Sequence, residues 1–556
     1  MVQTVREVDV AIRGGLVIDG SGGPGRRRDV GIRGDRIVLA TAGEHLAATR
    51  EIDATGEIVT PGFIDLHAHS GLMLLADPVH EAKVAQGVTT EIVGVDGLSY
   101  APFPDTASLE EFVAVNAGLD GDPAIAYDWL TVPEYLDRFE GTTSVNVGML
   151  IGNSALRIAV KGWAAGEADR GELADMAALL DEALDAGAFG LSTGLDYPPS
   201  AYASTAELTR LAEVSAAHGG MYHTHVRNWL GDRYLDPHLE AERICVDSGC
   251  HLHLTHLYKR GWSRGPARLL LELVERVDAG GPGATFDTYT YPYGSSRLCF
   301  SLPMWAFEEG LAGLTEALAA ESGPEHERLV GEIRPRGFAW DEVWITNFRS
   351  DEHRHHDGRS VAEIAAHLGT TPPEAVRRLL VEDGLQLSQV TRGAYIDTRP
   401  MFLCHERSMI GSDGLLIGDH PSPRTYGAFA TILETDVRGE RRLGIEEAVR
   451  KMTLTPATTL GLHERGLVAD GYLADVVVLD PERISAPATR VHPRQLAHGV
   501  SHVFVNGVHT WTADGHTGRF GGRALRHGER ATPAGGSRAG ERSGVGSAPV
   551  DGGGGR

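Results

Sequence analysis

The chain has 556 residues, of which 42% are hydrophobic, so it can bury a large core and is too long for one small domain. Its formal charge of −25 argues against binding to the phosphate backbone of a nucleic acid, which needs a basic surface. The four cysteines form no CxxC pair, the N-terminus lacks a signal-peptide pattern, and no apolar run is long enough to span a membrane. We therefore expect a cytoplasmic protein with no disulfide framework and no nucleic-acid or membrane partner.

Both ends of the chain have the pattern of short strands. Within residues 1–60, the segments VDVAIRGGLVIDG, DVGIRGDRIVLA and REIDATGEIVTPG are β-type runs interrupted by glycine and aspartate. The same pattern returns within residues 465–520, in GYLADVVVLDP and VSHVFVNGVHTW. The two ends are therefore predicted to pair into one small β domain.

The middle of the chain, residues 61–464, alternates helical and strand patterns. TAELTRLAEVSAAHGG precedes MYHTHV, EAERICVDSGC precedes HLHLTHL, and LLLELVERVDAGG precedes ATFDTYTYP. Such repeats predict an α/β fold with a parallel sheet, and at this length a (β/α)8 barrel is the favoured closure. Residues around 300–405 fit the alternation poorly and are predicted to be an insertion. Residues 521–556 have almost no apolar side chains and are predicted to be a disordered tail.

Histidines and carboxylates follow several of the predicted strands. In PGFIDLHAHS, His67 and His69 are two residues apart, so they share one face at the end of a strand. Alone, this pair fits hydrogen-bonded structural histidines as well as metal ligands. Further groups after later strands favour a shared metal site, because barrel active sites lie at the carboxyl ends of the strands. These groups are Asp96 in TTEIVGVDG, His223 and His225 in MYHTHVRN, His251, His253 and His256 in HLHLTHLYK, and Asp413 in SMIGSDG.

Eight segments together resemble the amidohydrolase superfamily, and within it the N-acyl-D-amino-acid deacylase (D-aminoacylase) family. They run in compatible order from about residue 8 to 525: PGFIDLHAHS, QGVTTEIVGVDGLSYAP, GAFGLSTGLDYPPSAYAS, THVRN, LTHLYK, GRSVAEIA, MIGSDG and GYLADVVVLDP. The HxH motif is weakly specific, whereas the ordered set is strongly specific. The resemblance implies a distorted (β/α)8 TIM barrel, a small β-sandwich domain built from both termini, a zinc centre and hydrolysis of an amide.

The resemblance implies metal-binding roles for four histidines. His67 and His69 match the pair after the first strand. His225, inside THVR, matches the ligand at the end of the fifth strand, and His256 matches the ligand after the sixth. His223 then has no assigned role.

Asp96 departs from the family pattern, because similar D-aminoacylases carry a metal-binding cysteine at this position. A carboxylate can also bind zinc or bridge two metal ions, although it is a harder ligand than a thiolate. We therefore expect Asp96 to be a metal ligand. Zn²⁺ is the expected cofactor, as one or two ions, and another divalent metal stays open.

For the reaction, the resemblance implies that an N-acyl-D-amino acid is hydrolysed to a carboxylate and a D-amino acid by a metal-activated hydroxide. Asp413 matches the eighth-strand aspartate, which takes the proton from the attacking water and delivers it to the leaving nitrogen. In isolation, Asp413 beside Gly414 would be interpreted as a turn residue. After MIGS, and within this set of motifs, the general base is the favoured interpretation.

Four residues are candidates for binding the carboxylate of a small-molecule substrate. Lys259 lies three residues after His256, which is one residue further than in relatives. Tyr291 in TYTYPYGSS matches a tyrosine of a DxYPY-type motif, which suggests substrate binding. An interpretation of Tyr291 as a core aromatic residue has equal weight. Arg227 and Arg399 are candidate clamps, because a guanidinium binds a carboxylate bidentately.

Two other functions remain open from the sequence. The first is hydrolysis of another C–N bond, such as a cyclic amide or an isoaspartyl-type dipeptide, because a changed metal ligand can accompany a changed substrate. The second is a catalytically silent barrel that binds a small ligand. In such a barrel, some of the metal-binding residues would be missing. Here every expected position carries a residue that can bind a metal or transfer a proton. The oligomeric state is not predicted.

Overall fold

The first described part of the chain consists of short strands. The computed structural model describes residues 4–41, 44–227, 233–260, 263–393 and 396–529. The strands up to residue 61 are β1 (Thr4–Arg13), β2 (Leu16–Val17), β3 (Arg26–Arg27), β4 (Val30–Arg33), β5 (Arg36–Leu39), β6 (Glu44–Asp53) and β7 (Ile58–Pro61). One sheet has the order β5-β4-β1-β6, with β1 parallel to β6 and antiparallel to β4. The strand pattern of this segment is therefore confirmed.

The strands that follow pair in parallel. They are β8 (Phe63–Asp65), β9 (Val88–Val93), β10 (Asn146–Met149), β11 (Ile151–Gly152), β12 (Gly190–Gly194), β13 (Met221–His225), β14 (His251–Leu254) and β15 (Ala284–Thr288). The strands β8 to β10 form one parallel sheet, and β11 to β15 form most of a second. Only Leu150 separates β10 from β11. The strands predicted in MYHTHV, HLHLTHL and ATFDTYTYP are confirmed as β13, β14 and β15.

Helices alternate with these parallel strands. They are α1 (Met73–Ala76), α2 (Glu81–Val84), α3 (Thr106–Asp120), α4 (Val132–Leu136), α5 (Asn153–Lys161), α6 (Arg170–Asp185), α7 (Thr205–Ala217), α8 (Asp236–Ser248) and α9 (Arg268–Gly280). The three helices predicted before β13, β14 and β15 are α7, α8 and α9. Ser204 caps α7 by accepting from the Glu207 amide. In the described part of the chain, no helix combines the length and apolar character needed to cross a bilayer.

An antiparallel sheet and five helices interrupt the alternation after β15. The sheet has β16 (Tyr293–Arg297), β17 (Val343–Thr346) and β18 (Ser388–Arg392). The helices are α10 (Gly310–Ala319), α11 (Pro324–Glu332), α12 (Val361–Leu368), α13 (Pro372–Glu382) and α14 (Arg399–Leu403). The chain then returns to β19 (Ser408–Ile410), which pairs in parallel with β15. A parallel bridge between Ala68 and Gly414 connects the residues after β19 to those after β8.

The last elements bring the two ends of the chain together. They are α15 (Arg424–Thr431), a π-helix (Ile432–Gly439), α16 (Ile445–Met452), α17 (Leu454–Thr459), β20 (Val476–Leu479), β21 (Val500–Val505), β22 (Val508–Thr512) and β23 (Gly515–His516). β20 pairs antiparallel with β7, so β2, β3 and β7 join β20 to β23 in one seven-stranded sheet. Ile12 and Ile32 of the N-terminal sheet share a buried core with Val476 and Phe504. Strands from the two ends of the chain thus pair with each other in this sheet.

The predicted disordered tail starts too early at Gly521. The amide of Leu525 donates to the Val147 carbonyl at 2.7 Å, and the amide of Val147 donates to the Arg523 carbonyl at 2.9 Å. Ala524 and Leu525 are buried. This short apolar pair among glycines and arginines is enough to attach the segment to β10. The rest of the predicted tail, residues 530–556, lies outside the described residues.

A fully buried lysine connects the ends of three parallel strands. The Lys83 Nζ donates to Asp65 Oδ2 and Glu91 Oε1, both at 2.7 Å, and to the Ser412 hydroxyl at 2.9 Å. Asp65 Oδ1 also accepts from the Ser412 amide at 2.9 Å. Buried charges need such compensation, because an unpaired ion in the interior is costly. The network fixes β8, β9 and β19 relative to one another directly beneath the residues described next.

Candidate metal centre

Six residues predicted from the sequence meet at the carboxyl ends of the parallel strands, and all of them are buried. The Asp96 carboxylate lies at their centre. Its oxygens are 3.6 Å from His67 Nε2, 3.9 Å from His69 Nε2, 3.5 Å from His225 Nδ1 and 3.8 Å from His256 Nε2. One carboxylate therefore faces four imidazole nitrogens that come from three different strand ends.

Asp413 completes the cluster from the end of β19. Its Oδ1 lies 3.4 Å from His69 Nε2 and 3.7 Å from His67 Nε2. Its Oδ2 is 2.8 Å from Arg424 Nη2, and the Arg424 side chain is fully buried. Asp413 thus has one oxygen directed to the histidines and the other held by a guanidinium.

Three residues of the cluster have left-handed backbone conformations, with φ of 52° at Asp96, 35° at His256 and 46° at Asp413. A non-glycine residue adopts this conformation at a cost, and the surrounding structure must hold it. The amide of Asp413 donates to the His67 carbonyl at 2.9 Å, and the amide of His256 donates to Asp287 Oδ1 at 2.9 Å. These bonds aim the side chains at the common centre.

A carboxylate supports each of three histidines on the ring nitrogen that points away from the centre. Asp120 lies 2.7 Å from His69 Nδ1, Asp287 lies 3.2 Å from His67 Nδ1, and Asp196 lies 2.9 Å from His225 Nε2. Metal-binding histidines characteristically make such a bond, which fixes the tautomer and the ring orientation.

The protonation of the cluster follows from these contacts. Burial opposes a charge on His69, but Asp120 raises the pKa of His69 to about 9. Burial likewise opposes a charge on His225, but Asp196 and Asp96 raise its pKa to about 9. Burial would raise the pKa of Asp96, yet His67 and the nearby imidazoles of His225 and His256 hold the pKa well below its usual value. Protons thus balance the carboxylate charges, and a cation that binds here displaces them.

The residues present fit a divalent metal ion. His67 Nε2 and Asp96 Oδ1 are buried, and within the described residues neither makes a hydrogen bond. Each of three overlapping triads has ligand atoms within 4.8 Å of one another: His67, His69 and Asp96; His67, His256 and Asp413; and Asp96, His225 and His256. Imidazole nitrogens with carboxylate oxygens are a ligand set that Zn²⁺ accepts.

A cavity opens onto the cluster. Its floor includes His69, Asp96 and Asp413, and its walls include Arg260 and Arg336. The wall opposite the parallel strands comes from the segment between β15 and β19, with Ser295, Ser296, Phe300, Pro335, Phe338, Gln389, Thr391 and Gly393. The cavity can therefore bring a small molecule with negative charge to the cluster.

Lys259 and Tyr291, two of the four predicted carboxylate-binding residues, do not line this cavity in the described part of the chain. Arg260, the next residue after Lys259, lines the cavity and stacks over the Tyr258 ring at 4.9 Å. Tyr291 packs instead against Gly427 of α15. Tyr289, which is two residues earlier, lines the cavity instead.

Arg227 and Arg399 have structural partners instead of a position in the cavity. Arg227 Nε is 3.0 Å from Glu240 Oε2, and its Nη1 donates to the Ala201 carbonyl at 2.7 Å. The buried Arg399 pairs with Asp436. Both arginines are paired within the surrounding scaffold, and neither lines the cavity in the described part of the chain, contrary to the prediction that they clamp a substrate there.

Sequence reasoning did not assign roles to Asp120, Asp196, Asp287 or Arg424. Asp196 lies in GLSTGLDYPPS, just after β12, and Asp287 is the penultimate residue of β15, so position near a strand end could have indicated both. Asp120 ends α3, where no local pattern distinguishes it from a surface residue.

The chain belongs to the amidohydrolase family, whose model matches residues 50–256 and 348–510. It is similar to N-acyl-D-glutamate deacylase of Alcaligenes xylosoxydans xylosoxydans, with 36% identity over 90% of this chain and 93% of that protein. The resemblance predicted from the sequence motifs is therefore confirmed.

Solved structures give the same result. The N-acyl-D-glutamate deacylase of Bordetella bronchiseptica, in complex with zinc and a phosphonate mimic of the tetrahedral intermediate, matches with a TM-score of 0.79 and 32% identity. The match covers 94% of this chain and 100% of that one. A D-aminoacylase with a binuclear metal centre matches with a TM-score of 0.78 and 32% identity, over 93% and 100% of the two chains.

The Asp120 bond to His69 leads to the first prediction. We expect Asp120→Asn to weaken Zn²⁺ binding by about 10- to 100-fold, because the amide no longer enforces the tautomer that directs Nε2 to the metal. The zinc dissociation constant, measured by competition with a chromophoric chelator, tests this. Asp122→Asn is the matched control, since Asp122 forms an ion pair with Arg349 near the surface. Equal zinc affinity of D120N and wild type would show that Asp120 does not support metal binding.

Proposed function

We propose that this protein is a metal-dependent hydrolase that deacylates N-acyl-D-amino acids and releases a carboxylate and a D-amino acid. The observation that carries the proposal is the convergence of four histidines, Asp96 and Asp413 at the floor of a cavity with arginines in its wall. The similarity to N-acyl-D-glutamate deacylase over most of both chains supports a linear amide as the substrate.

The proposal includes the architecture. The pairings from β8 to β15, β19 and the bridge at Gly414 support a distorted (β/α)8 barrel over residues 61–464, with an insertion around 300–405. The four- and seven-stranded sheets with their shared core support a β-sandwich built from residues 1–60 and 465–520.

Zinc is the proposed metal, held by His67, His69, Asp96, His225 and His256. The two triads that share Asp96 could hold one ion or two. When bound, the metal lowers the pKa of water toward about 7 and polarises the scissile carbonyl. Asp96 stands where the family has a cysteine. Its carboxylate offers two ligand atoms, whereas a thiolate offers one.

Asp413 is the proposed proton carrier. Burial would raise the pKa of Asp413, but Arg424 and His67 lower it below its usual value, so the side chain is ionised at neutral pH. Arg424 fixes one carboxylate oxygen, and the other faces the cluster. Asp413 can therefore accept a proton from water on that side and deliver it to the leaving nitrogen, because an amine is a poor leaving group without a proton.

Arg260 is the proposed partner of the substrate α-carboxylate. Its guanidinium lies in the cavity wall beside Tyr258, whose hydroxyl is 3.4 Å from that of Tyr289. Arg336 contributes a second positive charge to the same wall. This charge favours N-acyl amino acids with an acidic side chain, such as N-acyl-D-glutamate.

A substrate panel tests the proposed reaction. We expect the zinc-loaded protein to hydrolyse N-acetyl-D-glutamate, with kcat/KM lower by at least about 100-fold for the L-enantiomer and for a hydantoin. In Arg260→Met, KM for the D-substrate should rise by about 10- to 100-fold with little change in kcat, because a charged hydrogen bond to the α-carboxylate is lost.

Arg264→Met, in the same segment but outside the cavity wall, serves as the control for R260M. Turnover of only the hydantoin or an isoaspartyl dipeptide would replace the deacylase assignment with hydrolysis of another C–N bond. No turnover of any compound by fully loaded protein would favour a silent ligand-binding barrel.

Asp413→Asn tests the proton carrier. The amide cannot accept the proton of water, so kcat should fall by about 10²- to 10⁴-fold, with zinc content and KM nearly unchanged. Asp419→Asn is the control on the same segment, since the Asp419 side chain is 74% exposed. A zinc-loaded D413N protein with wild-type kcat would show that another group moves the proton.

A further inference from the structure

Three histidines converge in the segment between β15 and β19, apart from the candidate metal centre. His355 and His356 lie on a 3-10 turn (Arg354–His356), and His367 lies in the last turn of α12. Their ring centroids are 3.8 Å apart for His355 and His356, 5.5 Å for His355 and His367, and 5.1 Å for His356 and His367. One ring nitrogen from each lies within 4.8 Å of the others.

His356 is the unusual member of this group. Its side chain has no exposed surface, and within the described residues neither ring nitrogen has a hydrogen-bond partner. A buried polar group without a partner is costly, so the position of the His356 imidazole is explained best by a ligand that binds one of its nitrogens. His353, on the preceding residues, has its own partner, with Nε2 2.9 Å from Glu382.

His355 and His367 are exposed, unlike His356. Their side chains can therefore rotate by the small amounts that bring three nitrogens to the distance of about 2.0–2.1 Å from one ion that zinc–histidine bonds require. Solvent also reaches the group from their side, which gives an ion a route of entry and leaves room for water as a fourth ligand.

The end of α12 favours a cation at this place. The C-terminal end of a helix carries partial negative charge, and His367 lies in that last turn. The turn with His355 and His356 is held by its neighbour Asp357, whose carboxylate is 2.8 Å from the Thr346 hydroxyl and 2.7 Å from His420 Nδ1. The backbone of the turn is thus fixed before any ion binds.

We propose that His355, His356 and His367 form a second metal site for a borderline divalent cation such as Zn²⁺. Three imidazoles with an open fourth position are a ligand set that zinc accepts, and they exclude Mg²⁺ and Ca²⁺, which prefer oxygen ligands. The ion links the 3-10 turn to the end of α12 and takes no part in hydrolysis. The proposal is independent of the substrate assignment.

Zinc stoichiometry tests this site. The full-length protein is stripped with a chelator and titrated with Zn²⁺ alone, and bound zinc is counted by elemental analysis after desalting. The wild type should retain one more equivalent than the double variant His355→Gln with His367→Gln. The two substituted residues are exposed, so the variant is expected to fold. His492→Gln, at another exposed histidine, should match the wild type.

A second measurement separates a bound ion from loose surface zinc. With the candidate metal centre already saturated, zinc at 100 times the dissociation constant of the new site should raise the Tm of the wild type and of H492Q, but not that of the double variant. The double variant should retain wild-type kcat/KM for the amide substrate. Equal zinc content of wild type and double variant, or an equal rise in Tm, would overturn the proposal.

Discussion

The structure depends on one buried carboxylate that four imidazoles surround. Asp96 is within 3.9 Å of His67, His69, His225 and His256, and its Oδ1 makes no hydrogen bond within the described residues. The Asp96 carboxylate is only 3% exposed, so protons on the histidines or a metal cation must balance most of its charge. The neighbouring strands and supporting residues therefore hold the Asp96 carboxylate and the imidazoles that can balance its charge at one point. A chain without that balancing positive charge would not tolerate Asp96 at this depth.

The supporting residues explain how side chains from separate strand ends take up a defined geometry. Lys83 joins β8, β9 and β19 through Asp65, Glu91 and Ser412, which fixes the origins of the segments that carry His67, Asp96 and Asp413. Asp120, Asp196 and Asp287 then set the ring orientation of three histidines. Asp96, His256 and Asp413 also have positive φ, which is strain that these contacts maintain. The organisation is typical of a preformed site, in which little rearrangement is left for the reaction.

Local patterns predicted much of this arrangement. Helical periodicity placed α7, α8 and α9, strand patterns placed β13 to β15, and the two-residue spacing placed His67 and His69 on one side of a strand end. The cavity wall was not predictable in the same way. Whether Lys259 or Arg260, and Tyr289 or Tyr291, faces the cavity depends on the exact backbone path after a strand, which composition does not determine. Asp120 and Arg424 act through contacts with residues distant in the sequence, and such contacts leave no local signal.

The most direct test of the central claim is anomalous diffraction at the zinc edge from crystals of the zinc-loaded, full-length protein. The account predicts an anomalous peak about 2.0–2.2 Å from an Asp96 oxygen and from nitrogens of the surrounding histidines, with or without a second peak on the other side of the same carboxylate. A fully zinc-loaded crystal with no peak within coordination distance of Asp96 would contradict it.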